Sequence, residues 1–535
     1  MSDTPKFRVL FADALPEEGL EPLRADGRFE LIVRTGLKGE ELARAIEGMD
    51  AVVVRSATKI TRDALKYADQ LQVIGRAGVG VDNIDLEAAT ERGVAVLNAP
   101  SGNTISAAEL AFALVLALVR RVPAADRSMK AGEWDRKSFQ GTELYGKTLG
   151  LVGAGRIGSE VAKRARAFGM RVVAYDPFLT EEKASGLDIE LGTLEEVLHR
   201  GDVVSLHVPL TDSTRGMLGE AQLATMKPGA YLVNAARGGV VDEAALARLV
   251  ESGKLGGAAL DVFEQEPLPA DHPLRKVAGV VLTPHVGAQT AEAQQNVAVE
   301  IGYAVRDALL VGDLTRAVNA PAIGGEEMRR LRPLLELAGR LGRLAASLGD
   351  GAVEAVEVRY AGAGPEEGLR PLLAASLVGL LSAVVGPWGI NRVNALHLAS
   401  ARGIELRRIR LGPHGDYGEY LELRVTTQGR ERKVAGALLA EAHPRIVRVD
   451  DYAVTVIPSG TLVVLRNRDV PGVIGRVGTL LGGAGINIAE YYQARLEQGG
   501  DALALIRVDG RVPQDVLDSL RRLRDVVHVA QVDMD

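Results

Sequence analysis

The chain has 535 residues, no cysteine, and 63 basic against 70 acidic side chains, a formal net charge of −7. That length predicts roughly three or four domains. The missing cysteines exclude disulfides, thiolate catalysis and cysteine-ligated metal, and the mild acidity argues against a general nucleic-acid role. The opening stretch, MSDTPKFRVLFAD, is polar and then strand-like, with no signal-peptide pattern. The longest apolar runs, Leu110 to Val119 and Leu372 to Val385, are too short to span a bilayer. A cytoplasmic location and no membrane partner are therefore expected.

Residues 6 to 100 alternate apolar runs, ending at Asp13, Arg34, Arg55, Gly75 and Ala99, with helical patterns at Lys38–Glu47 and Thr61–Tyr67. Such alternation predicts a doubly wound parallel sheet, with ligands beyond the carboxyl ends of its strands. Arg55 and Arg76 fall at such ends, beside the bare turn Ala77–Gly78–Val79–Gly80. Singly, each reads as a solvated loop charge. Two at equivalent strand ends read as an anion site. Ser106–Arg121 is apolar nearly all round and predicts a buried helix. The loop after it carries Trp134, Arg136 and Lys137.

Lys147 to Pro177 reads KTLGLVGAGRIGSEVAKRARAFGMRVVAYDP. An apolar strand at Thr148–Val152 runs into Gly153, Gly155 and Gly158. A helical face (Ile157, Val161, Ala165, Phe168) follows, then a second strand, Arg171–Tyr175, ending at Asp176. Strand, glycines, helix, strand and acid within ~30 residues form a dinucleotide-binding unit. Gly153 permits the turn, Gly155 lets a pyrophosphate approach the backbone, and Gly158 lets helix and strand pack. Asp176 bonds the ribose hydroxyls and repels a 2′-phosphate, which favours NAD over NADP.

Further strands are expected at Val203–Val208, Tyr231–Asn234, Gly257–Phe263 and Val280–Thr283, for a six-stranded count. Ala291–Leu310 predicts a long helix that crosses back to the first sheet. Asn319 to Gly325 reads as a linker. Beyond it come helices at Glu327–Leu348 and Leu369–Val385 and strands at Val353–Tyr360 and Tyr420–Thr427. Residues 461–535 then read strand, helix, strand, strand, helix, strand. The expected fold class is α/β: two doubly wound parallel-sheet domains (1–100 with 288–316, and 101–287), an α+β domain (317–455) and a ferredoxin-like βαββαβ unit (456–535).

A nicotinamide enzyme acting on an alcohol needs a base poised near neutrality and a cation to orient the substrate. His285, Glu266 and Arg237 follow strand ends in the second half of the Rossmann unit. Each alone reads as an ordinary loop residue.

The segments RAGVGVDNIDLEAATERGVAVLNAPSGNTISAAELA, NAARGGVVDEAAL, AALDVFEQEPL and TPHVGAQTAEAQ resemble the D-isomer-specific 2-hydroxyacid dehydrogenases, over residues 6 to about 315. The resemblance implies Arg237, Glu266 and His285 as the catalytic set. It implies cofactor contacts from Arg156, Ile157, His207, Pro209, Ala235, Asp261 and Gly287 besides the glycines and Asp176. AGEWDRKSFQGTELYGKTLG, the extra middle domain and the ACT-like opening Leu465–Tyr492 resemble the branch of the family that oxidises D-3-phosphoglycerate at the start of L-serine synthesis. That branch implies Arg55, Arg76, Gly78, Asn103, Arg136 and Lys137 around the substrate. It also implies L-serine as effector at Asn467, Asp469 and Asn487, and a homodimer or homotetramer. Asn467 stands where serine-binding relatives often carry His or Tyr. The competing readings are a glyoxylate or hydroxypyruvate reductase, which would not need the extra cations, and a non-catalytic NAD sensor, which would not need Arg237, Glu266 and His285 together.

Overall fold

The computed structural model describes residues 6–321, 325–349, 351–364, 366–386, 389–414, 417–440 and 442–535. The first sheet has five parallel strands in the order Phe29–Val33, Phe7–Phe11, Ala51–Val54, Val73–Arg76, Ala95–Asn98. Ala51–Val54, sequence AVVV, is buried along its whole length, as a strand covered on both faces must be. One face packs under the helix Gly39–Ile46 through Leu42, Ala45 and Ile46. The other face, with Val9, Phe11 and Val53, is covered by Val297, Ile301 and Val305 of the helix Ala291–Val311. The chain thus returns from the second sheet to close the core of the first. Thr61–Tyr67 is not the expected helix. Its backbone bonds alternate between Leu65 N→Thr61 O and Lys66 N→Asp63 O, so no regular ladder forms.

The second sheet has seven parallel strands, not six: Val280–Leu282, Gly257–Leu260, Tyr231–Asn234, Val203–Leu206, Thr148–Val152, Arg171–Tyr175 and Glu190–Leu191. The last is a two-residue edge strand, too short to leave a period in the sequence. The order reverses between Thr148–Val152 and Val203–Leu206, which opens a crevice at their carboxyl ends. The helix Thr104–Val119 packs into this sheet's core with Val161 and Ala165 of the helix Arg156–Ala167. Phe168, expected on the same buried face, is 47% exposed and meets Phe112 edge-on.

The α+β part is a six-stranded mixed sheet, Glu405–Arg410, Val353–Ala361, Glu419–Thr427, Arg430–Leu439, His443–Val449, Tyr452–Val456, under the helices Gly325–Leu348 and Leu369–Val385. The expected linker ends inside the helix Gly325–Leu348, and its residues 322–324 lie outside the described residues. The last unit is a four-stranded antiparallel sheet, Ile488–Arg495, Asp501–Val508, Thr461–Arg468, Val526–Asp533. The helices Val473–Gly483 and Gln514–Arg521 cover one face. Its other face, with Leu462, Val464, Leu503 and Leu505, shares a core with the six-stranded unit. Among the described residues, no helix is long and apolar enough to cross a membrane.

Candidate active site

Thr148–Val152 is fully buried and delivers Gly153 at φ +91°, open to glycine but strained for other residues. A Cβ on Gly153 would lie 2.6 Å from the His207 carbonyl, and one on Gly158 would collide with the Gly153 carbonyl. A Cβ on Gly155 would meet only open space. The turn is thus packed from below and bare on top, at the N-terminus of a helix, which fits the pyrophosphate of a dinucleotide. Arg156 and Ile157 open that helix. Asp176 accepts N–H bonds from Ala154 and Phe178, both 2.9 Å, so its carboxylate is fixed at the rim of the turn. His207 lies beneath, with Nε2 2.9 Å from Ser205 Oγ. Burial pushes its pKa down to about 4, so it is neutral at physiological pH. Pro209, whose carbonyl accepts from Thr214 Oγ1, and Ala235 lie on the loops that follow the neighbouring strands.

His285 and Glu266 face each other at the carboxyl ends of the last two strands, with His285 Nδ1 2.8 Å from Glu266 Oε2. The other Glu266 oxygen accepts from Phe263 N–H (3.1 Å). A carboxylate on Nδ1 fixes the proton there and leaves Nε2 as the free acceptor. The Glu266 bond raises the His285 pKa, against burial, which lowers it. Burial pushes Glu266 up, but the His285 and Phe263 bonds and the Arg237 charge together hold it below its ordinary value. His285 has φ +55°, a conformation costing roughly 1–3 kcal/mol outside glycine. Asp261, 1% exposed, anchors that turn. Its carbonyl accepts from His285 N–H (2.8 Å), and its carboxylate accepts from Val286 N–H, Gly287 N–H and Thr283 Oγ1. Ser106 Oγ holds the Gly287 carbonyl from the opposite side (2.8 Å).

Arg237 extends from the loop after Tyr231–Asn234 across the cleft, with Nε 3.3 Å from Asp82 Oδ2 on the first sheet's loop. Gly80 has no side chain where Arg237 crosses, and Gly78 has none where Arg76 lies. A Cβ at either would collide with the guanidinium, which explains the bare turn. Arg76 has a buried Nε with no protein partner. Burial, Arg237 and Arg55 push its pKa down to about 10, while Asp82 and Asp13 oppose this. It is still charged at neutral pH. A desolvated guanidinium beside two like charges, with an unused donor, is arranged for an anion. Asn103, at the start of Thr104–Val119, contributes a second unpartnered atom, its buried Oδ1.

Several further residues, not expected from the sequence, brace this site. Asp13 accepts from Arg55 N–H (2.5 Å) and from Thr58 Oγ1 (2.8 Å), and Asn83 Nδ2 donates to the Arg55 and Thr58 carbonyls. Asn98 Nδ2 donates to Val79 O (2.7 Å). Asn234 Nδ2 donates to Arg237 O (2.9 Å) and its Oδ1 accepts from Ala236 N–H. Buried Glu243 accepts from Glu264 N–H and pairs with His272. Asp13, Asn98 and Asn234 share one signal, a polar residue just past an apolar run.

Other expected residues are not brought together within the chain. Arg136 and Lys137 sit on an exposed loop, where Asp135 accepts Lys137 N–H (3.0 Å). In the last unit, Asp469 is paired with Arg495 (2.8 Å), whereas Asn487 donates to Asp509 (2.8 Å). Within one chain the two therefore do not share a partner. Asn467 is buried, with Nδ2 on the Arg468 carbonyl and Oδ1 unpaired.

The D-isomer specific 2-hydroxyacid dehydrogenase NAD binding domain family matches residues 112–287. The D-3-phosphoglycerate dehydrogenase intervening domain matches residues 330–450, and the ACT domain matches residues 461–525. A D-3-phosphoglycerate dehydrogenase of Methanocaldococcus jannaschii is 43% identical over 98% of this chain and 100% of its own. One of Bacillus subtilis is 40% identical over 99% of this chain and 100% of its own. Among solved structures, a D-lactate dehydrogenase from Aquifex aeolicus complexed with NAD and lactic acid is 31% identical, with a TM-score of 0.51, covering 58% of this chain and 97% of that one. A glyoxylate reductase from Paecilomyes thermophila is 32% identical, with a TM-score of 0.54, covering 59% and 99%. Full-length identity, the three domain matches in order and the dinucleotide turn agree: the chain belongs to the D-3-phosphoglycerate dehydrogenase family, within the D-isomer-specific 2-hydroxyacid dehydrogenases.

Proposed function

We propose that the chain oxidises D-3-phosphoglycerate to 3-phosphohydroxypyruvate with NAD, the first step of L-serine synthesis. The observation that carries this reading is the His285–Glu266 pair, with Nε2 free, in the cleft that holds Arg55, Arg76 and Arg237. The glycine turn Gly153–Gly158 and Asp176 would hold NAD, which would supply the acceptor for the hydride of C2. His285 Nε2 takes the hydroxyl proton, and Glu266 stabilises the imidazolium that forms. Arg237 leaves Asp82 to hold the substrate carboxylate and polarise the developing carbonyl. Arg55, Arg76 and Asn103 hold the remaining anionic and hydroxyl groups. D-3-phosphoglycerate deuterated at C2 tests the reaction type: the label is expected in the NADH formed, and unlabelled NADH would reject it.

The working form is a homodimer or higher homo-oligomer in which a neighbouring copy supplies Arg136 and Lys137 to the substrate phosphate. Val122, Met129, Trp134 and Tyr145, all well exposed around that loop, support self-association. L-serine binds the ACT unit at Asn467 and Asp469 of one copy and Asn487 of another, and lowers activity. The unpaired buried Asn467 Oδ1 supports a ligand there. Calorimetric titration of serine into the intact chain and into Asn487→Ala tests this. Binding heat is expected only in the intact chain, and its absence there would overturn the effector reading.

A further inference from the structure

We infer that Glu243 is a positioning residue for Glu266: from the helix that follows Arg237, its buried carboxylate holds the Phe263–Glu264 peptide and so fixes the loop that turns Glu266 toward His285. The inference rests on the reading of His285 as the base and Glu266 as its partner.

The helix Glu243–Glu251 does not use this carboxylate as its cap. That role falls to Asp242, which accepts Ala245 N–H (2.9 Å). Glu243 reaches out of the helix instead, and is only 6% exposed. Its Oε1 accepts Glu264 N–H (2.7 Å), and its Oε2 lies 3.2 Å from His272 Nε2. A buried carboxylate occupied at both oxygens is held rigidly.

The peptide it holds adjoins the anchor of Glu266. Phe263 N–H donates to Glu266 Oε1 (3.1 Å), while Glu266 Oε2 faces His285 Nδ1 at 2.8 Å. The same peptide also rests on Gly238: a Cβ there would collide with the Phe263 carbonyl. The loop that carries Glu266 is thus seated against the residue next to Arg237 and tied to the helix beyond it. If Glu243 falls short, Glu264 N–H loses its acceptor or the loop is drawn toward the helix. Either change moves Glu266 away from the imidazole.

Reach and charge are separable here. Burial raises the Glu243 pKa, as do the Glu264 and Glu266 charges, while the Glu264 N–H and His272 lower it. Glu266 faces His285 and Arg237. The His285 ring faces Glu266 and Asp261, which favour the imidazolium, and Arg237, which opposes it. Aspartate at 243 keeps the negative charge but is one methylene short. Glutamine keeps an acceptor in reach and removes the charge.

The test uses the full-length protein with Glu243→Asp, Glu243→Gln and His272→Ala, each alone and combined with Glu266→Gln. The readouts are kcat, the KM for NAD, the pH profile of kcat/KM with D-3-phosphoglycerate, and the melting temperature. Glu243→Asp is expected to lower kcat about 10- to 10²-fold, the scale of a misplacement of up to 1 Å. The acidic limb should move to lower pH, and the KM for NAD should be kept. Glu243→Gln should rescue both readouts to within a few-fold of the natural chain. On the Glu266→Gln background, Glu243→Asp should add no further loss, because residues that act as one unit do not add. His272→Ala, at a side chain 21% exposed, should give a smaller loss of the same kind, and decides the matter if Glu243→Asp does not fold. Equal losses in Glu243→Asp and Glu243→Gln, or a full additional loss on the Glu266→Gln background, would overturn the inference. A lower melting temperature with kcat and pH profile intact would overturn it too, and make Glu243 a structural residue. An unchanged kcat and limb in Glu266→Gln alone would instead reject Glu266 as the partner of the base.

Discussion

Arg237 and Asp82 form an ion pair across the cleft, Nε to Oδ2 3.3 Å, that joins a loop of the second sheet to a loop of the first. In the proposed reaction that guanidinium holds the substrate carboxylate, so the pair must open for substrate to bind. Asp82 is the more exposed partner, so the bond contributes about 1 kcal/mol or less. Asp82→Asn should therefore lower the KM for D-3-phosphoglycerate a few-fold and leave the KM for NAD unchanged. A raised substrate KM would assign Asp82 to binding instead.

Arg76 is expected to show a trade of stability for function. Its guanidinium is desolvated, beside Arg55 and Arg237, with an unpartnered Nε. Removing it relieves like-charge repulsion but deletes a charge-assisted bond to the anion, about 1.5–3 kcal/mol. Arg76→Met should raise the melting temperature of the free protein and raise the substrate KM at least about tenfold. Inorganic phosphate should stabilise the natural chain more than the variant. A lower melting temperature with unchanged KM would make Arg76 a structural residue.

The acidic limb of the pH profile should follow the His285–Glu266 pair. In the proposed reaction His285 acts unprotonated, and Glu266 raises its pKa. Activity should therefore rise with pH through that raised value. Glu266→Gln should move the limb to lower pH while lowering kcat. His285→Ala should cut turnover ~10²–10⁴-fold with NADH binding kept. The linked stability has the opposite sense: it is complete below the ordinary histidine pKa and fades as pH rises through the raised one. With side chains 50% and 37% exposed, its effect on melting should be small. A limb that stays in place in Glu266→Gln would separate Glu266 from the base.

Asp176 should set the choice of cofactor. Its carboxylate is held at the rim of the glycine turn by Ala154 and Phe178 N–H, where a 2′-phosphate would meet a fixed negative charge. Asp176→Ser should bring the kcat/KM for NADP closer to that for NAD. Equal use of both cofactors by the natural chain would remove Asp176 from that role.

The parts that were legible in the sequence are those whose logic is local. The glycine turn and Asp176 lie within one βαβ unit, so spacing alone locates them. His285, Glu266 and Arg237 needed the resemblance, because three loop residues from separate strand ends carry no local signal. Asp261 was visible by position, but its bonds to Thr283, Val286 and Gly287 depend on the pairing of Gly257–Leu260 with Val280–Leu282. Four strands of the six-stranded sheet went unread. Glu405–Arg410 (ELRRIR) and the start of Arg430–Leu439 (RERK) are rich in charge, and half-exposed strands of that kind lack a clear alternation. Asn487 could not be placed from the sequence, since its partner Asp509 belongs to a different loop.

The proposed function requires this cleft to select a phosphorylated 2-hydroxy acid and oxidise it with NAD. Initial rates of NADH formation with D-3-phosphoglycerate, D-glycerate and D-lactate, assayed in parallel, decide this. D-3-phosphoglycerate should be preferred in kcat/KM by at least about tenfold over D-glycerate, because the latter leaves a buried guanidinium without its anion. Equal kcat/KM for all three, or NADH formation from D-lactate alone, would contradict it.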